Sequence, residues 1–248
     1  MINYTLTIAA IHHETEDTVT ICFKQPGLKK IKYKAGQYLT LKFNINSRKY
    51  SRAYSFSSAP GVESTLNITV KRVTGGVVSN HIVDCLSVGD VVEAVEPMGD
   101  FTLENSKITF DSHIVLWAAG SGITPIMSIV KYALQNNTVK HVTLVYGNRD
   151  LERTIFTKQI SEMQQQYTNN FSVWNFHTKP FIDNNNPSII QGRIDPEKVL
   201  NVLNNESEYN PDHTFHYICG PTGLKESVRQ ALTSNSVPPE NIFSEEFK

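Results

Sequence analysis

The chain has 248 residues, of which 40% are hydrophobic and 19% charged, so it is long enough to bury one large core or two modest ones and too apolar for wholesale disorder. A formal net charge of −1 lacks the electrostatic footprint of a general nucleic-acid binder. The charge is unevenly spread, because Thr18 to Val62 holds nine Lys or Arg and no Asp or Glu.

Cys22, Cys85 and Cys219 are far apart and odd in number, which fits neither a disulfide framework nor a Cys-x-x-Cys metal site and makes a reducing compartment the default. The longest apolar run, Ile114 to Ala119, is too short to span a bilayer. Met1 to Asp17 has no signal-peptide pattern, so a cytoplasmic protein without a membrane span is expected.

The first hundred residues read as short strands separated by turns. Thr18 to Phe23 comes first, and in Tyr38 to Ile45 the apolar Leu39, Leu41, Phe43 and Ile45 alternate with polar residues. Leu66 to Val73 and Val91 to Glu96 repeat the signal between Gly/Pro turns, and a short helix is predicted over Ser79 to Leu86. This spacing predicts a small antiparallel barrel or sandwich. After about Ser106 strands and helices alternate. Strands are predicted at Ile114–Ala119, Val142–Tyr146, Phe171–Phe176 and Thr214–Ile218, and helices at Thr124–Gln135, Thr154–Tyr167, Pro196–Leu203 and Pro221–Leu232. Such alternation predicts an α/β doubly wound parallel sheet. Two domains are expected, 1–105 and 106–248; the polar loops Asp183–Pro187 and Asn204–Asp212 show no chemistry.

Ala118-Ala-Gly-Ser-Gly-Ile-Thr-Pro125 carries a strand through a glycine turn into a helix, exposing backbone N–H groups beside a positive helix end that suits a pyrophosphate. Thr124 is read as the N-cap and Pro125 as the first helical residue. Taken alone, the motif equally describes an ordinary tight βα turn. Tyr217-Ile-Cys-Gly-Pro-Thr-Gly223 is a second such strand end, and two glycine-punctuated strand ends describe one crevice of a parallel sheet. In Arg52-Ala-Tyr-Ser55 an arginine fork and an aromatic ring share one strand face, a set for a phosphorylated flat cofactor, or simply an edge strand. Gly75-Gly-Val-Val-Ser79 offers another phosphate cradle or a plain glycine turn. His12 and His13 are adjacent and His213 and His216 point to opposite faces, so no metal site is expected.

Together with Gly36-Gln-Tyr38 and Glu245-Glu-Phe247, these motifs stand in the order and spacing of the ferredoxin-NADP reductase superfamily. The chain resembles most the reductase modules of phenylacetate-type oxygenase reductases and of flavohaemoglobins. The resemblance implies an FAD-binding barrel followed by a nicotinamide-binding α/β domain. It also implies an enzyme that takes hydride from NAD(P)H onto FAD N5 and passes electrons singly to a ferredoxin-like or other redox partner. It further implies that Arg52 holds the flavin phosphates, that Tyr54 lies against the ring system, that Ser55 hydrogen-bonds near N5 and that Tyr38 lines the site. Ala53, Val70, Lys71, Gly75, Gly76, Val77, Val78 and Ser79 would complete the flavin set. The nicotinamide dinucleotide would take Gly120, Ser121, Gly122, Ile123, Thr124, Pro125, Gly220 and Pro221. Cys219 would approach the nicotinamide, with Glu245 and Phe247 near the flavin face. Pro97-Met-Gly-Asp-Phe101 is similar to the family's Gly-Pro-x-Gly-x-Phe turn, with Glu96 in place of the leading glycine.

Arg149 and Arg153, after the second strand of the α/β half, favour NADPH over NADH, although Asp150 and Glu152 stand beside them to pair with them. No C-x₄-C-x₂-C iron-sulfur spacing occurs in the sequence, so electrons are expected to leave through a separate protein or a small acceptor. An acidic carrier protein would dock on Lys29, Lys30, Lys32, Lys34 and Lys49. Two other functions fit the same motifs: a reductase of free flavin or ferric chelates, and a non-catalytic electron-transfer or regulatory subunit.

Overall fold

The computed structural model describes residues 2–27, 30–105, 107–179 and 189–246. Lys29, Phe247 and the loop Asp183–Pro187 lie outside them. Contacts divide the chain into two compact units: Met1–Asn105 with Met127–Tyr132, and Ser106–Ile126 with Ala133–Lys248.

The first unit contains β1 (Asn3–Thr15), β2 (Thr18–Lys24), β3 (Tyr38–Ile45), β4 (Arg48–Ser55), β5 (Thr65–Lys71), α1 (Val77–Cys85) and β6 (Val91–Met98). They form one sheet in the order β4-β3-β6-β1-β2-β5, antiparallel at every pairing. A bridge from Phe56, just after β4, to Ile68 of β5 curls the sheet back on itself. The alternation in β3 is realised: Leu39, Leu41 and Phe43 are buried among Leu6, Ile21, Phe23, Phe56 and Ile68. The first strand, β1, was not predicted. A register shift between Ile8 and Ala10 breaks the period of two where the strand bends, so its apolar pattern is interrupted. Helix α1 begins at Val77 rather than Ser79, with Gly76 as its N-cap.

The second unit contains β7 (His113–Ala119), β8 (His141–Asn148), α3 (Thr157–Gln166), β9 (Phe171–His177), β10 (Ile189–Gln191), α4 (Pro196–Asn205), β11 (Thr214–Cys219), α5 (Thr222–Ser234) and β12 (Ile242–Glu245). Helix α2 (Ile123–Gln135) follows β7, and its residues Met127–Tyr132 group with the first unit. The sheet order is β10-β9-β8-β7-β11-β12, parallel throughout. Val115, Trp117, Val145, Phe176 and Ile218 on one sheet face pack against Val199, Val202 and Leu203 of α4 and Val228 and Leu232 of α5. Helix α3 starts three residues later than predicted because Phe156 adopts a left-handed conformation (φ 63°). Phe156 and Ile160 are nonetheless buried, and Met163 is half-buried. Strands β10 and β12, of three and four residues, are too short for a periodic signal and exist because a parallel neighbour pairs with them.

Candidate functional site

In the first unit, β4 sets Arg52, Ala53 and Tyr54 beside one another. Arg52 and Ala53 are exposed, Tyr54 is half-buried against the core and Ser55 is buried. Burial pushes the Tyr54 phenol up to about 12 despite the Arg52 charge nearby, so the ring is neutral. Tyr38 pairs with Ser55 across β3 and β4. A Cβ on Gly99 would lie 3.1 Å from the Tyr38 ring, and Gln37 Nε2 donates to the Gly99 carbonyl at 3.1 Å. The Gly36-Gln-Tyr38 motif is thus clamped on the Pro97–Phe101 turn, which needs its glycine although the preceding residue is Glu96.

The Gly75-Gly76 turn closes on itself: Ser79 Oγ accepts from the Val73 N–H at 3.1 Å, and a Cβ on Gly76 would come within 2.6 Å of that oxygen. Helix α1 therefore starts with no side-chain cap and no acid in its first turn. Uncapped N–H groups at a helix start suit an anion such as a pyrophosphate, so this turn fits the expected cofactor. Val78 and Val70 have their side chains in the core, and Lys71 pairs with Asp17 at 3.4 Å. These three can offer a ligand little beyond backbone and charge.

In the second unit β7 is the switch point, with β8 on one side and β11 on the other, and its carboxyl end runs into a 3-10 turn, Gly120–Gly122. Gly120 has φ +52°, and its carbonyl accepts from the Tyr146 hydroxyl at 3.1 Å. A Cβ on Gly122 would stand 2.2 Å from the Cys219 carbonyl oxygen, so only glycine lets the two strand ends close. Thr124 is not the N-cap. The helix begins at Ile123, and the Thr124 hydroxyl donates to the Ser121 carbonyl from inside the first turn, which places Pro125 third in α2. Pro125 is accommodated there because no first-turn N–H has an intrahelical partner. No acid lies in that turn, and α5, after Gly220-Pro221, likewise has no acid in its first turn and no side-chain cap.

Cys219 is fully buried, and burial with the neighbouring Glu245 carboxylate pushes its thiol up, so it stays protonated. Glu245 pairs with Cys219 across β11 and β12. At the end of β8, Arg149 is exposed, while Asp150 accepts from the Arg153 N–H at 3.1 Å and pairs with Lys179 at 3.5 Å. Of the basic stretch, Lys30, Lys32 and Lys49 are exposed, and Lys34 pairs with Glu104 at 2.7 Å. Tyr146 was missed in the sequence, where it reads as one apolar residue of a buried strand.

The oxidoreductase FAD-binding domain family matches residues 5–103 and the oxidoreductase NAD-binding domain family residues 116–230. A component of the 1,2-phenylacetyl-CoA epoxidase of Escherichia coli is 30% identical over 251 residues, covering 98% of this chain and 67% of that protein. The chain belongs to the ferredoxin-NADP reductase superfamily. The ferredoxin reductase component of 3-ketosteroid-9-alpha-monooxygenase from Rhodococcus rhodochrous is another member, 31% identical over 98% of this chain and 64% of its own length. The chain thus spans about two thirds of these relatives. The superfamily fold is matched by a ferredoxin NADP+ reductase from Neisseria gonorrhoeae solved with FAD and NADP bound, at a TM-score of 0.80 and 23% identity over 98% of each chain. Among the described residues no helix is long and apolar enough to cross a membrane.

Proposed function

We propose that this superfamily member is an FAD-dependent NAD(P)H reductase that delivers electrons to a separate redox protein, with residues 1–105 holding the flavin and 106–248 the nicotinamide. What carries the proposal is that each unit presents a glycine turn opening onto a helix with no acid in its first turn, the second of them at a strand switch point suited to a dinucleotide. Arg52 holds the flavin phosphates, Tyr54 and Tyr38 flank the ring system, and the backbone from Gly75 to Ser79 receives the pyrophosphate. Bound FAD supplies hydride acceptance at N5 and release of electrons one at a time. Ser55 positions that atom by a hydrogen bond. Gly120 to Pro125, with Gly220 and Pro221, hold the nicotinamide dinucleotide. Cys219 shapes the floor of that site without exchanging a proton, and Glu245, its partner across β11 and β12, stands beside it. The free, exposed Cys85 suits a reducing cytoplasm.

The visible spectrum under nitrogen tests the proposal. The wild type is expected to carry flavin that bleaches on adding NADPH, and Ser55→Ala to keep its FAD but bleach about ten-fold more slowly, the worth of one hydrogen bond in the transition state. Colourless protein that reduces added flavin would show a dissociable flavin substrate instead. Bound flavin that NADPH cannot bleach would show a non-catalytic role.

NADPH is the proposed donor, because the Asp150 carboxylate is occupied by Arg153 and Lys179 while Arg149 remains exposed for a 2′-phosphate. Arg149→Ala should lower kcat/KM for NADPH about ten-fold and leave that for NADH within about two-fold. Equal losses with both donors would remove the assignment.

The partner we propose is an acidic electron carrier steered by Lys30, Lys32 and Lys49, in a field to which Lys29 adds its charge and from which Glu104 withdraws Lys34. Its reduction rate should fall several-fold as salt rises from roughly 0.05 to 0.5 M, since the Debye length shrinks from well over 10 Å to only a few ångströms. A rate indifferent to salt would exclude this docking surface.

A further inference from the structure

The loop Asn204–Asp212 reads in the sequence as devoid of chemistry, yet Glu206 in it is only 8% exposed and faces two histidines that are 2% (His113) and 8% (His141) exposed. His113 and His141 open β7 and β8 and are paired directly across the parallel ladder. Their rings meet edge to face, 5.1 Å between centroids. Glu206 is brought to them as the C-cap of α4. One ring nitrogen of each histidine and one carboxylate oxygen all lie within 4.8 Å of one another.

The neighbours orient this set. The Trp174 indole N–H donates to Glu206 Oε1, which leaves Oε2 toward the histidines. Thr143 Oγ1 donates to Oε2 at 2.8 Å and stands 2.8 Å from His113 Nε2. His141 Nε2 lies 2.8 Å from Ser172 Oγ and 3.5 Å from Glu206 Oε2. The other ring nitrogen of His113, Nδ1, is buried and interacts with the Glu208 backbone, which leaves Nε2 turned toward Thr143 and Glu206.

Among the described residues no lysine or arginine is hydrogen-bonded to the Glu206 carboxylate, whose neighbours are Trp174, Thr143 and, at 3.5 Å, His141.

We propose that His113, His141 and Glu206 form a binding site for a divalent transition metal, with Zn²⁺ the best chemical match. Two imidazoles and a carboxylate are borderline ligands that suit zinc, whereas calcium and magnesium prefer oxygen alone. Tetrahedral zinc with bonds near 2.1 Å holds its ligand atoms about 3.4 Å apart, so the His141–Glu206 pair is already at that spacing and no pair closes by more than about 1.4 Å on binding. Thr143, which now spaces His113 from Glu206, turns aside or supplies the fourth ligand. The site lies at the amino ends of β7 and β8, whereas the Gly120 and Gly220 turns lie at the carboxyl ends of β7 and β11. Seven residues of β7 separate the two ends by about 20 Å, so the ion is structural: it ties α4 to the sheet and takes no part in electron flow.

Flavin-loaded protein treated with EDTA and then titrated with Zn²⁺ alone tests this. Calorimetry is expected to show one ion per chain, with Tm rising by several degrees at zinc well above the dissociation constant. His141→Gln and Glu206→Gln should each weaken binding at least 100-fold at unchanged flavin content. Wild-type protein that takes up no zinc overturns the proposal, and this arm does not depend on whether the variants fold. Uptake that persists undiminished in both variants overturns it equally.

Discussion

Gly122→Ala is expected to raise the KM for NADPH at least about 100-fold while the purified protein still carries its flavin. The added methyl would lie 2.2 Å from the Cys219 carbonyl oxygen, 2.6 Å from its carbon and 2.9 Å from the Gly220 nitrogen. All three are backbone atoms, so no side chain can rotate out of the way. Relief requires β7 and β11 to part at their carboxyl ends, where Ala118 pairs with Cys219, or the turn to lift. Lifting is opposed by the Tyr146 hydroxyl, which holds the Gly120 carbonyl from β8. Either movement displaces the N–H groups at the start of α2, and an error near 1 Å in a positioned site costs about 100-fold. Steady-state kinetics beside a flavin absorbance measurement decide the matter. A KM within three-fold of wild type would mean that the nicotinamide does not bind at this turn.

Trp117→Ala is expected to lower stability by about 3–5 kcal/mol, the usual cost of emptying a buried tryptophan site, and to depress Tm by roughly 10 °C. Trp117 lies in the middle of β7 with none of its surface exposed. Its indole N–H donates to His216 Nδ1 at 3.3 Å, and the two rings stack at 6.3 Å. Burial lowers His216 to about 3, so it is neutral, and its Nε2 already lacks a hydrogen-bond partner. Removing the indole leaves both ring nitrogens unsatisfied inside the sheet, a loss added to the cavity. Trp117→Phe keeps most of the volume and should cost only about 1–2 kcal/mol. Calorimetric melting of both variants checks the order; an Ala variant melting within 2 °C of wild type would show that the site collapses without penalty.

Much of the fold could be read in the chain because local periodicity reports burial directly. The alternation in β3 names its inward side chains one by one, and the run Ile114 to Ala119 is a strand buried on both faces. The glycine motifs could be read for a related reason: Gly120 needs a positive φ and Gly122 needs space, and both demands fall on single residues in a fixed order. Features that depend on a partner elsewhere in the chain were hidden. Strand β1 loses its period at a bulge, β10 and β12 are ordered by the strands they pair with, and Phe156 delays α3 by a conformation that no pattern announces. Thr124 looks like an N-cap, yet its hydroxyl serves the preceding turn.

The order of the two units, the sheet types, the superfamily and the turns that suit phosphates are legible along the chain, because each of these is written in residues close together in sequence. Tertiary structure alone decided that Gly122 faces the Cys219 carbonyl, that Tyr146 holds Gly120, that Asp150 is taken by Lys179, and that Glu206 meets His113 and His141. Those contacts join residues up to about a hundred positions apart, and hydrogen-bond partners and buried charge have no period along the chain. They exist only once the sheet has brought its strands side by side.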